Sequence, residues 1–236
     1  MSAAFDSDST FSQRALSSGW GFFGHRYQLY STAVPHEGYH ILRRWAQASR
    51  LGSFVFTSNV DGHFLKAGFS DAHVVECHGT IHMLQPFDPR LGNHLWPASD
   101  ALASLVVDTD TFRAKQPLPM CPPEAGPAAG TLARPNILMF GDWGWVEQRT
   151  NEQHHRHETF LDSLPRDAHV VVVEIGAGSA IPTVRDTSET VLETFSNATL
   201  LRINPVESQG PGGTISISET GLAALKMLDE ALAAAQ

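Results

Sequence analysis

The chain has 236 residues, enough for one sizeable hydrophobic core or for one core with a small appended module. Its composition, 42% hydrophobic and 17% charged, is typical of a soluble globular protein, and no apolar run approaches the roughly 20 residues that a membrane helix needs. With 16 basic and 25 acidic side chains the net charge is -9, which argues against a nucleic-acid partner.

Two further features indicate the compartment. Residues 1–10 (MSAAFDSDST) lack both the basic start and the apolar stretch of a secretory signal. The two cysteines, Cys77 and Cys121, are too few for a disulfide framework or for a zinc site of four thiolates. We therefore expect a soluble, cytoplasmic protein with neither a membrane nor a nucleic-acid partner.

In chain order, the first thirty residues give weak signals, and residues 19–23 (GWGFF) predict a packed loop. Between Pro35 and Gly52, apolar residues recur at helical spacing and predict a helix. Residues 53–59 (SFVFTSN) then form a short apolar, β-branched run, which is typical of a strand buried on both faces. Residues 136–140 (NILMF), 169–175 (HVVVVEI) and 199–204 (TLLRIN) repeat that pattern.

The last two of these runs enclose residues 185–197, which can cross the sheet as a helix and so complete a βαβ unit. The C-terminus carries leucines on one helical face, and Ser216 and Glu219 have the spacing of a capping box before it. This alternation of strands and helices predicts an α/β fold with a Rossmann-like parallel sheet.

Residues 85–135 differ from the rest, because they hold nine of the 14 prolines and little sustained periodicity. We interpret them as a small inserted module. The predicted organisation is therefore a first part of the Rossmann-like domain at residues 1–84, the module at 85–135, and the second part of the domain at 136–236.

Two short motifs indicate chemistry. Residues 57–61 (TSNVD) end a predicted strand, and residues 76–79 (ECHG) follow on the next element. A threonine, an Asn and an Asp together with a histidine can seat a nucleotide sugar and deprotonate its hydroxyl. Histidine suits this task because its unperturbed pKa of about 6.5 lets it accept and return a proton near neutrality. The pair of motifs predicts cleavage of a glycosidic bond.

Six sequence segments, taken in chain order, resemble motifs of the sirtuin family of NAD-dependent protein deacylases. They cover most of the chain, at residues 21–30 with 35–42, 54–69 (FVFTSNVDGHFLKAGF), 76–79 (ECHG), 133–142 (ARPNILMFGD), 172–184 (VVEIGAGSAIPTV) and 200–208 (LLRINPVES). The resemblance implies a Rossmann-like sheet with a small zinc-ribbon insertion, NAD at the carboxyl ends of the strands, and an acylated protein lysine as substrate.

The resemblance also implies roles for individual residues. In the family, the acyl oxygen attacks the anomeric carbon of the nicotinamide ribose, and a histidine then activates a ribose hydroxyl; His78 matches that base. Thr57, Asn59 and Asp61 match the nicotinamide and ribose pocket.

The remaining matches concern the other half of NAD and the substrate. The turn that approaches the ribose and phosphates in the family corresponds to Gly176, Ala177 and Gly178. The residues that contact the adenosine correspond to Asn204 and Glu207. The segment that pairs with the substrate peptide corresponds to Phe140, Gly141 and Asp142.

Each of these residues could instead have a purely structural role. A histidine is more often structural, Asn59 and Asp61 can cap a turn, and GAGSAI lacks the third glycine of a dinucleotide fingerprint. The histidines of residues 154–157 are expected on a solvated helix face rather than on a metal. Cys77 and His78 are expected on opposite sides of a strand, which disfavours a shared metal.

Two departures from the family pattern qualify the resemblance. Nothing before Trp20 resembles the family's first strand and glycine-rich phosphate loop, so we expect a fragment, a chain completed by another chain, or a form that has lost catalysis. A central strand of the sheet would then lack its neighbour. Cys121 stands without three companion cysteines, and we expect no bound zinc and no other metal.

The leading hypothesis is a sirtuin-type deacylase that cleaves NAD to nicotinamide and O-acyl-ADP-ribose. One alternative is a non-catalytic sirtuin-like module that binds NAD or a partner protein. Another is an NAD hydrolase or ADP-ribosyl transferase that uses water or another side chain as acceptor.

Overall fold

The computed structural model describes residues 6–235, with side chains from Arg14 onward. The helices are α1 (Asp6–Thr32), α2 (Glu37–Ala48), α3 (His63–Lys66), α4 (Ala98–Leu102), α5 (Gln148–Ser163), α6 (Thr183–Thr194) and α7 (Gly221–Ala234). The strands are β1 (Val55–Thr57), β2 (Val74–Glu76), β3 (Gly79–Pro86), β4 (Trp96–Pro97), β5 (Val107–Asp108), β6 (Arg113–Ala114), β7 (Ala133–Ile137), β8 (His169–Ile175), β9 (Asn197–Ile203) and β10 (Ile215–Ile217).

The chain forms two compact units, each discontinuous in sequence. In the described part, the first unit comprises residues 6–33, 59–62 and 78–150, and the second comprises residues 34–58, 63–77 and 151–235. The predicted domain boundaries after residues 84 and 135 stay a prediction.

The second unit contains parallel sheet. β1 pairs with β2, and β8, β9 and β10 form a three-stranded sheet in the order β10-β9-β8. Because α6 connects the parallel strands β8 and β9, the predicted βαβ unit is confirmed. The strands predicted at residues 53–59, 169–175 and 199–204 are all present; the second has the predicted bounds, and the ends of the other two differ by one or two residues.

One core cluster explains why these elements associate. Ile41 of α2 and Leu225 of α7 pack with Leu201 and Ile203 of β9, and all four side chains are buried. Each such side chain contributes about 1.5–3 kcal/mol by leaving water. The apolar faces of the predicted helices therefore account for the placement of α2 and α7 on this sheet.

The start of α7 differs from the prediction. Ser216 lies inside β10, opposite Arg202 of β9, so it cannot cap a helix. Thr220 is the residue before the helix, and its backbone N–H donates to Oε1 of Glu219 at 2.7 Å. The capping-box prediction was wrong because strand pairing holds Ser216.

The first unit is built on antiparallel pairs and one long helix. β3 lies between β4 and β7, and β5 pairs with β6. Helix α1 occupies the region predicted as a packed loop, which corrects that prediction. Glycines lower its intrinsic helix propensity, but Trp20 is only 4% exposed in a cluster with Leu84 and Trp96. Ser17 also donates its hydroxyl to the carbonyl of Ala114 at 2.6 Å. These tertiary contacts outweigh the local signal.

The run NILMF also behaves differently from the prediction. β7 ends at Ile137 and runs antiparallel to β3, so it is not a strand of the parallel sheet. Leu138, Met139 and Phe140 follow it outside any strand and are exposed. Among residues 6–235, no helix is both long and apolar enough to cross a bilayer.

Candidate functional site

His78 lies in the turn between β2 and β3, in the first unit, and its side chain is half-buried. Its backbone carbonyl accepts a hydrogen bond from the N–H of Leu138 at 3.0 Å, which ties the turn to the residues that follow β7. The expectation that Cys77 and His78 point to opposite sides of a strand was wrong, because both residues belong to the turn. The imidazole is thus carried on a short, anchored turn.

The segment of residues 59–62 is held on β3 of the same unit. Ile81 donates its N–H to the carbonyl of Val60 at 2.9 Å, and Nε2 of His82 lies 2.9 Å from the carbonyl oxygen of Asp61. Asn59 is exposed and Asp61 is half-buried. The structure therefore ties the segment that contains Asn59 and Asp61 to β3, the strand that His78 directly precedes, although these residues are up to 19 positions apart in sequence.

Thr57 belongs to the second unit, where it is the last residue of β1. Its side chain is buried, and its carbonyl accepts from the N–H of Cys77 at 2.9 Å. This bond extends the pairing of β1 with β2 by one residue. Thr57 thus lies where the buried strand ends.

Gly79 explains why the turn at His78 is so tight. Its φ of +78° lies in the left-handed region, and a Cβ at this position would stand 2.1 Å from the carbonyl oxygen of Asn136. Only glycine allows β3 and β7 to approach this closely. The position of His78 depends on that contact.

The predicted substrate segment follows β7. Phe140 is 91% exposed and Gly141 is exposed, whereas Asp142 is held by Arg134 and by the N–H of Gly144 at 3.0 Å. Burial raises the pKa of Asp142, but the guanidinium of Arg134 and the backbone N–H groups outweigh that effect and keep the pKa below its usual value. Asp142 therefore shapes this loop as an ionised carboxylate.

A buried polar network beneath this loop was not predicted. The amide of Gln85 accepts from Asn136 at 2.9 Å and from the N–H of Val146 at 3.1 Å, and donates to the carbonyl of Gly144 at 2.7 Å. Gln85 and Asn136 are fully buried. No local pattern marks such a network, because its members come from three separate segments.

The second group of predicted residues assembles in the second unit, at the carboxyl ends of β8 and β9. The side-chain amide of Asn204 donates to the carbonyl of Ala177 at 3.0 Å. Its Oδ1 accepts from the N–H groups of Val206 and Glu207 at 3.0 and 2.9 Å. Asn204 thereby joins the loop after β8 to the loop after β9.

Glu207 and Ser179 form the second joint between these loops. The Ser179 N–H and hydroxyl donate to the two carboxylate oxygens at 2.8 and 2.7 Å. These hydrogen bonds, aided by Arg185, hold the pKa of Glu207 below its usual value. The carboxylate is therefore charged and oriented at neutral pH.

Arg185 is a site residue that the sequence reading missed. Its Nε donates to the carbonyl of Ala177 at 3.1 Å, and a terminal nitrogen donates to the carbonyl of Glu207. A positive charge in the first turn of a helix is unfavourable, because the N-terminal end of the helix dipole is also positive. The position of Arg185 in the first turn of α6 was therefore the sequence feature that could have indicated a special role. The guanidinium instead clamps the two loops.

This loop pair suits one end of a dinucleotide. Gly176 has a φ of +70° and no neighbouring atom within 4 Å of an added Cβ, which leaves open space over the backbone. Each oxygen of the Glu207 carboxylate accepts one bond from Ser179 and can accept another from a hydroxyl group, as on a ribose. Ligands in open α/β sheets bind at such strand ends. The residues present therefore fit the ribose of an adenosine.

Two of the three histidines of α5 lie against aromatic side chains and not on the solvated face that was expected. His154 packs edge-on against Phe56, with ring centroids 5.6 Å apart, and the ring centroids of His157 and Phe54 are 5.0 Å apart. The expected solvated face was wrong for these two residues, because they pack on the aromatic side chains around β1. His155 is exposed as expected.

Metal ligation has little support in the described residues. Nowhere in residues 6–235 do three or more His, Cys, Asp or Glu side chains converge as metal ligands would. Burial raises the pKa of the Cys77 thiol to about 11, and the Cys121 thiol donates to the carbonyl of Leu132. The expectation of no zinc stays a prediction.

Comparison with known proteins identifies relatives of the chain. No protein-family model matches it. It is 27% identical over 218 residues to an NAD-dependent protein deacylase of Deinococcus radiodurans, across 89% of this chain and 74% of that protein. It is 26% identical over 121 residues to an NAD-dependent protein deacetylase of Shouchella clausii, across 51% of this chain and 40% of that protein.

Solved structures share the fold. A structure of Sir2Tm bound to a propionylated peptide matches 93% of this chain and 84% of its own, with a TM-score of 0.58 and 15% identity. A complex of Sir2 with a p53 peptide and NAD⁺ matches 84% of this chain and 70% of its own, with a TM-score of 0.58 and 17% identity. The predicted α/β fold class is confirmed.

Proposed function

We propose that this chain, which belongs to the sirtuin family, is an NAD-dependent deacylase that removes an acyl group from a protein lysine. The observation that carries the proposal is the common attachment of Asn59, Asp61 and the His78 turn to β3. When bound, NAD would supply an anomeric carbon with nicotinamide as its leaving group. The chain's own residues would bind and orient NAD and the substrate and would transfer the proton.

His78 is proposed as the general base. A half-buried imidazole is accessible to a hydroxyl group and still partly protected from water, and histidine is the side chain most often used to accept and return a proton in catalysis. The bond from Leu138 to the His78 carbonyl and the close contact at Gly79 restrict the backbone that carries it. A restricted base maintains its distance to the hydroxyl during turnover.

Thr57, Asn59 and Asp61 are proposed to bind the nicotinamide amide and its ribose. An Asn side chain can donate to and accept from an amide, and a carboxylate can accept from two ribose hydroxyls. Gly176, Ala177, Gly178, Asn204 and Glu207 are proposed for the adenosine half. Asn204 and Glu207 already use much of their bonding capacity on the loops, so we assign them chiefly to orienting the loop backbone.

The substrate is proposed to be an acylated lysine in an extended peptide, bound at Phe140, Gly141 and Asp142. Phe140 and Gly141 are exposed, and their backbone groups can pair with such a peptide through main-chain hydrogen bonds. Solved structures of Sir2 with an acetylated peptide and of Sir2Tm with a propionylated peptide support this substrate class. Main-chain pairing predicts little dependence on peptide sequence.

The test is the turnover of an acetylated peptide by His78→Ala, with His94→Ala as a matched control. His94 is also a half-buried histidine of the first unit, but it stacks on Trp96. We expect a loss of at least about 100-fold in kcat for His78→Ala, since general-base catalysis contributes about 10²–10⁴-fold. Calorimetry should show that NAD still binds this variant.

Product analysis then separates the alternatives. Deacylated peptide together with O-acyl-ADP-ribose supports the proposal. Free ADP-ribose alone would indicate a hydrolase, ADP-ribose attached to protein would indicate a transferase, and binding of NAD without product would indicate a non-catalytic module. Undiminished turnover by His78→Ala would contradict the assigned role of His78.

A further inference from the structure

Trp143 directly follows the proposed substrate segment, and its side chain lies almost completely in solvent. It is 98% exposed, so the indole packs against almost nothing of the chain. Leu138, Met139 and Phe140 of the same loop are exposed as well. Tryptophan is on average a highly buried residue, and exposed apolar groups that lie together often mark a binding site. The exposure of Trp143 therefore requires an explanation.

The backbone before Trp143 is fixed in a tight turn. The N–H of Asp142 donates to the carbonyl of Met139 at 3.1 Å, and Gly141, the third residue of this turn, has a φ of +67°. A positive φ at that position is typical of a type II turn. Arg134 in addition binds the Asp142 carboxylate. On this side the indole is therefore attached to an ordered segment.

The backbone after Trp143 is fixed as well. The carbonyl of Gly144 accepts from the side-chain amide of Gln85 at 2.7 Å, and its N–H donates to Asp142 at 3.0 Å. Gly144 also lies against Pro89, whose Cγ is 3.1 Å from the position of an added Cβ. A ligand that contacts Trp143 therefore has to order only the torsions of the side chain, which keeps the entropic cost of binding small.

The surroundings of Trp143 favour an apolar contact over an ionic one. Arg134 and Asp142 pair with each other, and their side chains are only 19% and 7% exposed. A second ion pair, between Asp88 and Arg90 at 2.6 Å, flanks the proline that packs on the loop. Because these charges are used on each other, a charged ligand group gains little from them.

We propose that Trp143 is a specificity-determining residue, which packs on a large apolar side chain of the substrate peptide beside the acylated lysine. This role rests on the proposed function, which places the peptide at Phe140 and Gly141. Trp143 is two residues beyond Gly141, at most about 7 Å along the chain, and an extended peptide advances about 3.3 Å per residue. The indole therefore reaches peptide side chains about one to three positions from the residue beside Gly141.

Main-chain pairing and an exposed indole contribute differently to substrate choice. Pairing through N–H and C=O groups is open to almost any peptide sequence. An indole, in contrast, removes a large apolar area from water only when the peptide offers a matching apolar group. We therefore expect the peptide to be bound by its backbone and selected by one flanking side chain, for which leucine, isoleucine and phenylalanine are suitable.

The experiment measures kcat and KM of the full chain for acetyl-lysine peptides with serine at all flanking positions. Leucine, arginine or aspartate then replaces one serine at a time, at each position within about three residues of the acetyl-lysine. We expect leucine at one position to raise kcat/KM about tenfold through KM, the lower end of the discrimination that apolar contacts give. Arginine and aspartate should give no comparable increase.

Variants of Trp143 connect the preference to the indole. Trp143→Ala should abolish the preference for leucine over serine, whereas Trp143→Phe should retain most of it because a ring remains. Phe112→Ala is the matched control, since Phe112 is also an exposed aromatic residue of the first unit but lies between β5 and β6. It should keep the full preference.

Fluorescence anisotropy of labelled peptides measures the same preference in binding, without turnover. Tighter binding of the leucine peptide in the absence of turnover would contradict the proposed deacylase and still support the role of Trp143. Equal kcat/KM and equal affinity for the leucine and serine peptides would overturn that role. A preference for arginine or aspartate, a leucine preference that persists in Trp143→Ala, or no binding of any peptide would also overturn it.

Discussion

Ser179 holds both carboxylate oxygens of Glu207, with its N–H at 2.8 Å and its hydroxyl at 2.7 Å. These two residues are 28 positions apart and belong to the loops after β8 and β9. Together with Arg185 they fix the backbone of residues 176–179. The proposed adenosine site is therefore built by side chains that bind the protein's own loops before any ligand arrives.

Glu207→Gln should weaken NAD binding with little effect on stability. The neutral amide loses the charge-assisted bonds to Ser179 and the attraction of Arg185, and the loop then samples other conformations. We expect about a tenfold rise in Kd in a calorimetric titration. Glu230→Gln, an exposed carboxylate on α7, is the control. Equal affinities in the two variants would contradict the loop assignment.

Gly79→Ala should unfold the first unit or destabilise it by more than about 3 kcal/mol, in the upper range of single substitutions. The added methyl group would overlap the carbonyl of Asn136 at 2.1 Å, in a backbone that a side chain rarely adopts. Gly130→Ala is the matched control: its φ is +72° but no atom lies within 4 Å. We expect about 1–2 kcal/mol there from the backbone alone. Urea denaturation measures both, and similar losses would refute the role of the close contact.

Glu174→Gln should destabilise the second unit by about 3 kcal/mol, because it leaves the charge of Arg202 buried with less compensation. Both side chains are 1% exposed and bond at 2.6 Å. Glu189 also binds Arg202, at 2.8 Å, but its side chain is 37% exposed. Glu189→Gln should therefore cost under about 1 kcal/mol. Chemical denaturation of the two variants tests this order, and a larger loss for Glu189→Gln would reverse the argument.

His157 should make stability fall as the solution becomes acidic. Burial, with a contribution from neighbouring His154, lowers its pKa below the ordinary value of 6.5, so the native state holds it neutral. The unfolded chain binds the proton first, and the stabilisation present above pH 6.5 is lost progressively as the pH falls below that value. Glu158 opposes the shift without cancelling it.

His157→Phe removes this proton-binding group and keeps a ring against Phe54 and Phe56. Urea unfolding at about pH 7.5 and 5.5, on either side of the free imidazole pKa, measures the effect. The difference in unfolding free energy between the two pH values should be smaller in the variant. An identical difference in both proteins would show that His157 does not titrate on unfolding.

Part of this site could be predicted from the sequence because its residues follow short, strongly patterned strands. The runs that became β1, β8 and β9 place Thr57, Gly176 and Asn204 at strand ends, where a parallel sheet presents its ligand sites. The buried pair of Gln85 and Asn136 and the clamp of Arg185 could not be predicted. They depend on contacts between distant segments, and no local periodicity records such contacts.

By itself the sequence determined the α/β class, the helices α2, α6 and α7, and the order of the motifs, because apolar periodicity and β-branched runs act within a few residues. Only the tertiary structure decided that residues 6–32 form α1, where burial of Trp20 in a cluster with Leu84 outweighs weak helix propensity. It also decided that β7 pairs antiparallel with β3 and does not join the parallel sheet of β8, β9 and β10. Strand partners and their direction are set by free energies of packing and pairing between distant segments, which a reading of local pattern does not contain.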